Sequence, residues 1–198
     1  MIRARAFQLA NHRQPATVSR VKLVTIHSDG ACAGNPGPGG WAAVLEYGQQ
    51  RKELSGGEPA TTNNRMELTG AIEALRALRE RCNVAFYTDS EYVKAGITKG
   101  VAFWKRQNWR TVAKTPVKNK DLWIVLDELA SHHSITWHWL KGHAGHTENE
   151  RCDVLARAAI VEIRKKHSAA QLAAFLAEFK SAQAAAETAA NSQPALFA

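Results

Sequence analysis

Apolar residues recur along the chain at two spacings, and these spacings predict its strands and helices. Short apolar or alternating runs predict five strands, at Lys22–Ser28, Trp41–Tyr47, Arg51–Ser55, Val84–Thr88 and Ile135–Leu140. Apolar positions three and four residues apart predict the longer helices, at Asn64–Arg79, Asn119–Ala130 and Thr147–Lys166. Ser90 stands where it can cap a short helix to Ile97, and Thr147 with Glu150 forms a capping-box pattern.

The order of these elements predicts the fold class. Three strands come first, the second and third joined through Gly48, and then a helix, a strand, helices, a strand and a helix. A hairpin beside a βαβ crossover gives an α/β fold with a mixed five-stranded sheet flanked by helices. We expect this domain to span Val21–His167, a normal domain size.

Two terminal segments lie outside this domain. Residues 1–20 carry four arginines and no acid, which predicts a flexible basic leader, with organellar targeting as the alternative. In the extension, residues 168–198, an apolar stripe predicts an amphipathic helix that docks on the chain's own domain. The stripe consists of Leu172, Phe175, Leu176 and Phe179. The alanine-rich stretch that follows is expected to be weakly helical or disordered.

Composition excludes several classes of protein. No apolar run reaches the length of a membrane span, and no secretory signal opens the chain. The cysteines Cys32, Cys82 and Cys152 are odd in number and form no CxxC pair. They argue against a disulfide framework or a zinc site and suit a reducing compartment, so we expect a cytoplasmic protein.

Positive charge is concentrated in one segment of a chain whose net charge is +8. Lys94–Lys120 contains eight basic residues and no acid, and Phe103, Trp104 and Trp109 lie among them. A solvated helical surface is one interpretation of such a run. Basic groups interleaved with aromatic rings are typical of a surface that binds nucleic acid, and we favour that interpretation.

Four carboxylates are candidates for chemistry. Asp29 and Asp89 each follow an apolar strand, at the sheet edge where ligands bind in open α/β folds. Glu67 lies at the border of a helix face that covers the sheet, and Asp153 lies two turns into the last helix. Taken singly, each has a structural alternative, as a turn former, a helix cap or a solvated acid.

Convergence of these four acids predicts a metal site. Carboxylates that meet at one point repel each other, and hard divalent cations make the arrangement stable, with Mg²⁺ or Mn²⁺ favoured over zinc. Two ions about 4 Å apart can activate a water and stabilise the leaving oxygen in phosphodiester hydrolysis. The glycine-rich segment GNPGPGG lacks the Gly-Lys-Ser/Thr ending of a nucleotide-binding loop.

A family resemblance rests on motifs in a fixed order. SDGACAGNPGPGGW, TTNNRMEL, YTDSEYV, PVKNKDLW and KGHAGHTENERCD follow one another within one domain. In these motifs the chain closely resembles bacterial type 1 ribonuclease H. The resemblance implies hydrolysis of the RNA strand of RNA–DNA hybrids, leaving 3′-hydroxyl and 5′-phosphate ends. It also implies metal ligation by all four carboxylates, and it makes His143 a candidate proton carrier.

The resemblance also implies contacts with the substrate. Cys32 and Asn35 match positions that face the RNA 2′-hydroxyl groups, which distinguish RNA from DNA. Thr62 matches a pocket for a DNA-strand phosphate, and Asn63 and Asn64 match residues at the minor groove. Asn64 has a structural alternative as the N-cap of its helix.

The basic segment matches the part of the family that grips the DNA strand. There Trp104 matches an aromatic contact, and Lys105, Arg106 and Lys118 are candidate DNA-strand contacts. The chain departs from many relatives in two places. Gly100 stands where a second tryptophan is common, and Glu91 stands where glutamine is common, beside the expected metals.

The end of the chain contains a candidate docking peptide. Gln193–Phe197 resembles the short peptide by which bacterial replication and repair proteins dock on the β sliding clamp. Nothing in the sequence demands an oligomer, so a monomer is expected.

Two rival functions make different predictions from the sequence. A non-catalytic hybrid-binding module would lack at least one of the four candidate carboxylates, and all four are present. A junction resolvase or integrase-type strand transferase would not be expected to carry the motif set around Asn35 and Asn63.

Overall fold

Five strands form one mixed sheet in the order β3-β2-β1-β4-β5. In this computed structural model, which describes residues 21–141 and 145–192, they are β1 (Lys22–Cys32), β2 (Gly37–Tyr47), β3 (Gln50–Thr61), β4 (Cys82–Thr88) and β5 (Ser134–Trp139). The first three strands form an antiparallel meander, and β1, β4 and β5 run parallel. The expected fold class is confirmed.

Helices cover the two faces of the sheet. They are α1 (Asn63–Arg76), α2 (Glu91–Ala95), α3 (Val101–Arg106), α4 (Lys120–Ser131), α5 (Thr147–Lys166) and α6 (Ala169–Ser192), with a π-helical turn at Gly96–Gly100. On one face α1 and α4 pack over Phe86 and Ile26, and Trp123 of α4 is fully buried. On the other face α5 packs through Cys152 and Ala156. No helix of the described part is long and apolar enough to cross a membrane.

The strands extend further than their apolar runs predicted. The antiparallel pairing of β1 with β2 continues from Asp29 opposite Ala42 to Cys32 opposite Gly39, whereas the parallel pairing with β4 ends at His27. The prediction that β1 stops at Asp29 was therefore wrong for the antiparallel side. Glycines weaken the apolar signal, but they let β2 pass close under α5, since a Cβ on Gly40 would lie 2.1 Å from a backbone oxygen.

Helix starts differ from the capping patterns. Helix α1 begins one residue earlier than predicted, with Thr62 rather than Asn64 as its N-cap, and the Thr62 hydroxyl accepts from the Arg65 N–H. The capping box at Thr147 was also wrong. Helix α5 already includes Thr147, because the Glu150 N–H bonds the His146 carbonyl. The predicted cap at Ser90 was correct, its hydroxyl accepting from the Val93 N–H.

The extension forms a long helix. Its predicted stripe, Leu172, Phe175, Leu176 and Phe179, is half-buried, and α6 packs on β3, as expected of a helix that docks on its own domain. The alanine-rich part is helical to Ser192, and residues 180–189 are exposed. Residues 1–20, His143 and Gln193–Phe197 lie outside the described residues.

Candidate active site

Three of the four predicted carboxylates lie together at one edge of the sheet. One oxygen from each of Asp29, Glu67 and Asp89 lies within 4.8 Å of the other two. They come from β1, from the second turn of α1 and from the residue after β4. Together they line a cavity of about 680 Å³. The parallel ends of β1 and β4 account for the two aspartates, and α1 brings the glutamate over them.

A glycine permits the close approach of α1. A Cβ on Gly30 would lie 2.3 Å from the backbone nitrogen of Glu67, closer than any side chain tolerates. The absence of a side chain therefore lets the helix backbone lie directly on β1. The Gly30 N–H also donates to the Asp29 carboxylate at 2.8 Å, which fixes that side chain.

Crowding and burial favour the protonated form of two of these acids. Burial raises the pKa of Asp29 to about 7, and the nearby carboxylates of Asp89 and Asp153 add to this effect. Burial also raises the pKa of Glu67 well above its ordinary value, with help from Asp29 and Asp89. One oxygen of Glu67 accepts from Asn63, and the other is buried with no partner in the described residues. Such an arrangement stores repulsion that a bound cation relieves.

The fourth predicted carboxylate, Asp153, lies apart from this group. It lines the same cavity from α5, and its Oδ1 accepts from Arg157 Nε at 2.7 Å. Its charge contributes to the raised pKa of Asp29, so it acts on the group across the cavity.

Two residues of the site were missed by sequence reasoning. Asn149 is 5% exposed, and its amide donates to Asp89 at 3.1 Å, so it orients that carboxylate. Arg157 holds Asp153 in the same way. A signal for both was available, because Asn149, Asp153 and Arg157 are spaced four residues apart and share one face of α5.

Comparison with known proteins identifies the family. The ribonuclease H family model matches residues 21–161. A ribonuclease H of Rhodopseudomonas palustris is 61% identical over 145 residues, which cover 73% of this chain and 94% of that protein. The chain belongs to the ribonuclease H family. It is therefore a nuclease that cleaves the RNA strand of RNA–DNA hybrids.

Further members of the ribonuclease H family agree in sequence and in fold. The enzyme of Halorhodospira halophila is 58% identical, across 71% of this chain and 95% of that protein. Among solved structures, LC9-RNase H1 superposes with a TM-score of 0.66 at 35% identity, over 72% of this chain and 74% of that one. LC11-RNase H1, solved in complex with an RNA/DNA hybrid, superposes at 0.55 with 22% identity, over 70% of this chain and 97% of that one, which shows the shared fold.

The residues that the ribonuclease H resemblance assigns to the RNA 2′-hydroxyls and to the minor groove lie beside the carboxylates. Cys32, Asn63 and Asn64 line the cavity. Asn35 lies next to them, because its side-chain oxygen accepts from the Asn63 N–H at 3.2 Å. Thr62, which caps α1, joins these positions to the helix that carries Glu67.

Gly100, Trp104 and Trp123 pack together in and beside the basic segment. A Cβ on Gly100 would lie 2.5 Å from the Trp104 ring, so the indole lies over the position where relatives carry a second tryptophan. Trp104 is half-buried and packs edge-on against Trp123 at 5.5 Å. Lys105 is exposed but pairs with Asp127 at 2.6 Å, whereas Arg106 and Lys118 are exposed.

Glu91 lies at the mouth of the cavity and is mostly exposed. Lys94 Nζ lies 3.9 Å from its carboxylate and 4.4 Å from the centre of the Trp139 ring. The extra negative charge beside the site is therefore partly offset by a lysine fixed between α2 and β5.

Proposed function

We propose that cleavage occurs at Asp29, Glu67, Asp89 and Asp153, with two Mg²⁺ ions held by these carboxylates. The observation that carries the proposal is the group of three carboxylates within 4.8 Å, two of them buried. All donors are carboxylate oxygens, which suits Mg²⁺, with Mn²⁺ as a substitute. The buried, unpartnered oxygen of Glu67 fits a ligand to such an ion.

Each protein group then has a defined role. When bound, divalent ions supply a more acidic water and offset the negative charge that develops on the phosphate. Asn149 keeps the Asp89 carboxylate turned toward the cavity, and Arg157 holds Asp153 at its far wall. His143 is proposed to carry a proton during turnover. Hydrolysis then leaves a 3′-hydroxyl and a 5′-phosphate.

The enzyme is proposed to select the strand it cleaves through separate contacts with the RNA strand and with the DNA strand. Cys32 and Asn35 lie next to the carboxylates and offer polar groups to RNA 2′-hydroxyls, and Asn63 and Asn64 contact the minor groove. Thr62 contacts a phosphate of the DNA strand. The basic segment, including Trp104, Lys105, Arg106 and Lys118, extends this contact along the DNA backbone. Lys105 must leave Asp127 to take part.

The decisive experiment compares substrates and matched variants. We expect cleavage of labelled hybrid with Mg²⁺, and none of duplex RNA or duplex DNA. Asp29→Asn should abolish hybrid cleavage, whereas Glu162→Gln, an exposed acid on α5, should leave the rate unchanged. Binding without cutting by the wild-type protein would support a non-catalytic module. Cutting of duplex DNA would support a resolvase-like enzyme.

We propose residues 21–167 as the catalytic domain and residues 168–198 as an accessory extension that carries a docking peptide. The peptide Gln193–Phe197 is proposed to bind a sliding clamp. Residues 1–20 are proposed to be a flexible basic leader. Deletion of residues 193–198 should abolish clamp binding in calorimetry and leave cleavage of short hybrids unchanged. Equal clamp affinity with and without residues 193–198 would contradict the proposed clamp binding.

We also propose that the protein acts as a monomer in the bacterial cytoplasm. The relatives reported above are bacterial proteins. Sedimentation at micromolar concentration should give the mass of one chain, 21.7 kDa.

A further inference from the structure

The cavity that holds the carboxylates continues beyond them along α5. One face of this helix lines it over four turns, from Asn149 through Asp153 and Arg157 to Arg164. Asp153 and Arg164 are eleven residues apart, which corresponds to roughly 16 Å at 1.5 Å per residue. We call the part of the cavity between Asp153 and Arg164 the α5 groove.

Small and apolar side chains line the α5 groove. Ala31, Cys32 and Ala33 line it from the end of β1, and Ile160 and Val161 line it from α5. Val161 is 50% exposed, so it presents an apolar surface to whatever lies in the groove. The small side chains on the β1 side leave room for a strand to pass.

Charge changes sign along the α5 groove. Near the carboxylates, α5 carries Glu150 and Asp153, whereas further along it carries Arg157 and Arg164. Arg157 is paired with Asp153 at 2.7 Å. Arg164 is exposed and forms no ion pair with any residue in the described ranges, 21–141 and 145–192. The far end of the groove therefore offers a positive charge that these residues do not neutralise.

We propose that the α5 groove binds the backbone of the RNA strand on one side of the cleavage point, with Arg164 contacting a phosphate. The proposal rests on the proposed cleavage at the carboxylates, because the strand passes from them directly into the groove. Arginine suits a phosphate because it stays charged and donates several hydrogen bonds in a fixed geometry.

Two observations favour the RNA strand over the DNA strand as the occupant. Cys32, which the ribonuclease H resemblance places at the RNA 2′-hydroxyls, is part of the groove lining. None of the residues Lys94–Lys120, which contain the proposed DNA-strand contacts, lines the cavity. The strand that enters the α5 groove is therefore the one that contacts Cys32.

The length of the α5 groove predicts which phosphate Arg164 contacts. One strand of a duplex carries a phosphate about every 3.4 Å of helix axis, so the groove spans roughly five nucleotides. The side chain of a helical residue leans toward the N-terminus of its helix, which shortens the span. We expect the contact roughly three to five nucleotides from the scissile phosphate.

This contact would make the enzyme sensitive to the length of the RNA strand. A strand that ends inside the α5 groove lacks the phosphate that Arg164 binds, whereas a longer strand supplies it. Short fragments left by earlier cleavage should therefore bind more weakly than the intact hybrid.

The test measures binding of the full chain to a fluorescein-labelled hybrid by anisotropy in EDTA, so that the result does not depend on cleavage. We expect Arg164→Gln to weaken binding about three- to tenfold and to reduce the slope of log affinity against log salt by about 1. Lys166→Gln removes the same charge from an exposed residue of α5 outside the cavity lining, and both quantities should keep their wild-type values. Arg164→Lys keeps the charge and should keep the wild-type salt slope.

A second arm identifies the phosphate and the strand. A substrate with a few ribonucleotides inside a DNA strand, paired with its DNA complement, fixes the position of the cut. One uncharged methylphosphonate is then placed at successive positions on either side. With Mg²⁺, one position roughly three to five nucleotides from the cut should raise KM in the wild type and have no further effect in Arg164→Gln.

Three results would overturn the proposal. They are wild-type affinity in Arg164→Gln, an equal loss in Lys166→Gln, and cancellation of the Arg164→Gln effect only by methylphosphonates in the DNA complement. The last of these would assign the groove to the DNA strand. If the protein binds hybrid without cutting it and Arg164→Gln still lowers the affinity and the salt slope, the groove proposal stands and the proposed cleavage fails.

Discussion

The two ends of β4 have opposite electrostatic characters. At the carboxyl end, Asp89 joins Asp29 and Glu67 in a group whose mutual repulsion calls for cations. At the amino end, Arg81 and His133 are among cations that the described residues leave unneutralised. Repulsion among the carboxylates is costly because Asp29 and Glu67 are buried, whereas the charge of the exposed Arg81 is solvated. Burial of close like charges, more than the volume of a cavity, therefore indicates where this molecule binds an ion.

The largest effect is expected from removing one charge at the carboxylate end. Glu67→Gln should lower kcat for hybrid cleavage by about 10²–10³-fold, since it removes a group that holds charge at the reacting phosphate. Glu73→Gln, on the exposed side of the same helix, should leave kcat within about twofold. Single-turnover cleavage rates with saturating Mg²⁺ measure both. A small effect of Glu67→Gln would contradict the role given to the buried carboxylates.

A pH dependence of stability should follow from the same crowding. Folding raises the pKa of Asp29 from its ordinary 3.8 to about 7, so protonation favours the folded state. Its contribution is fully present below about pH 4 and is lost as the pH rises through 7, at most about 4 kcal/mol. In EDTA, the melting temperature should therefore fall between pH 5 and pH 8, and Mg²⁺ should restore it.

Asp29→Asn provides the matched test of that origin. The variant should melt at a higher temperature than wild type in EDTA at pH 8 and show a flatter profile, while Glu162→Gln should keep the wild-type slope. A wild-type profile that is flat over the same range would show that the carboxylate end holds no such repulsion.

A smaller effect is expected from the residue that orients Asp89. Asn149→Ala should reduce activity about 10–100-fold and raise the Mg²⁺ concentration needed for half-maximal activity, because Asp89 loses the amide that fixes it. Asn83→Ala, an exposed asparagine of β4, serves as control. If activity falls without a change in Mg²⁺ dependence, Asn149 acts on the substrate and not through Asp89.

The smallest effect concerns the cationic end. Arg81→Gln removes one of the charges that lower the pKa of His133, so that pKa should rise. A pH titration of the histidine ring protons by NMR measures the change. Lys166→Gln, on the exposed surface of α5, should leave the His133 titration curve where it was. An unchanged His133 titration curve in Arg81→Gln would argue against crowding of cations around His133.

Much of the fold and part of the site could be predicted from local patterns. Strand alternation and helical spacing depend on near neighbours in sequence, so they yielded all five strands and the crossover. Asp29 and Asp89 could be predicted because they follow apolar strands that lie side by side. The N-caps Thr62 and His146 could not, because several residues that can cap a helix stand in each segment.

Other features depend on contacts between distant segments. The cavity lined by Leu75, Leu78 and Leu129 lies where two helices far apart in sequence end, so no single segment predicts it. The position of Trp104 over Gly100 likewise depends on how a π-helical turn carries α3 across Trp123. Gly100 stands where a second tryptophan is common among relatives, and here the indole of Trp104, four residues further along, lies over that position.

The long C-terminal helix has a consequence for reach. The half-buried side chains of α6 end at Phe179, and the rest of the helix, residues 180–192, extends for roughly 20 Å at 1.5 Å per residue. Residues 180–189 of this part are exposed. A helix of this kind can act as a semi-rigid spacer between the domain and the residues after Ser192. A partner bound there would have an effective concentration at the hybrid set by the length of that spacer. Shortening α6 by whole turns would tune recruitment without touching a single catalytic contact.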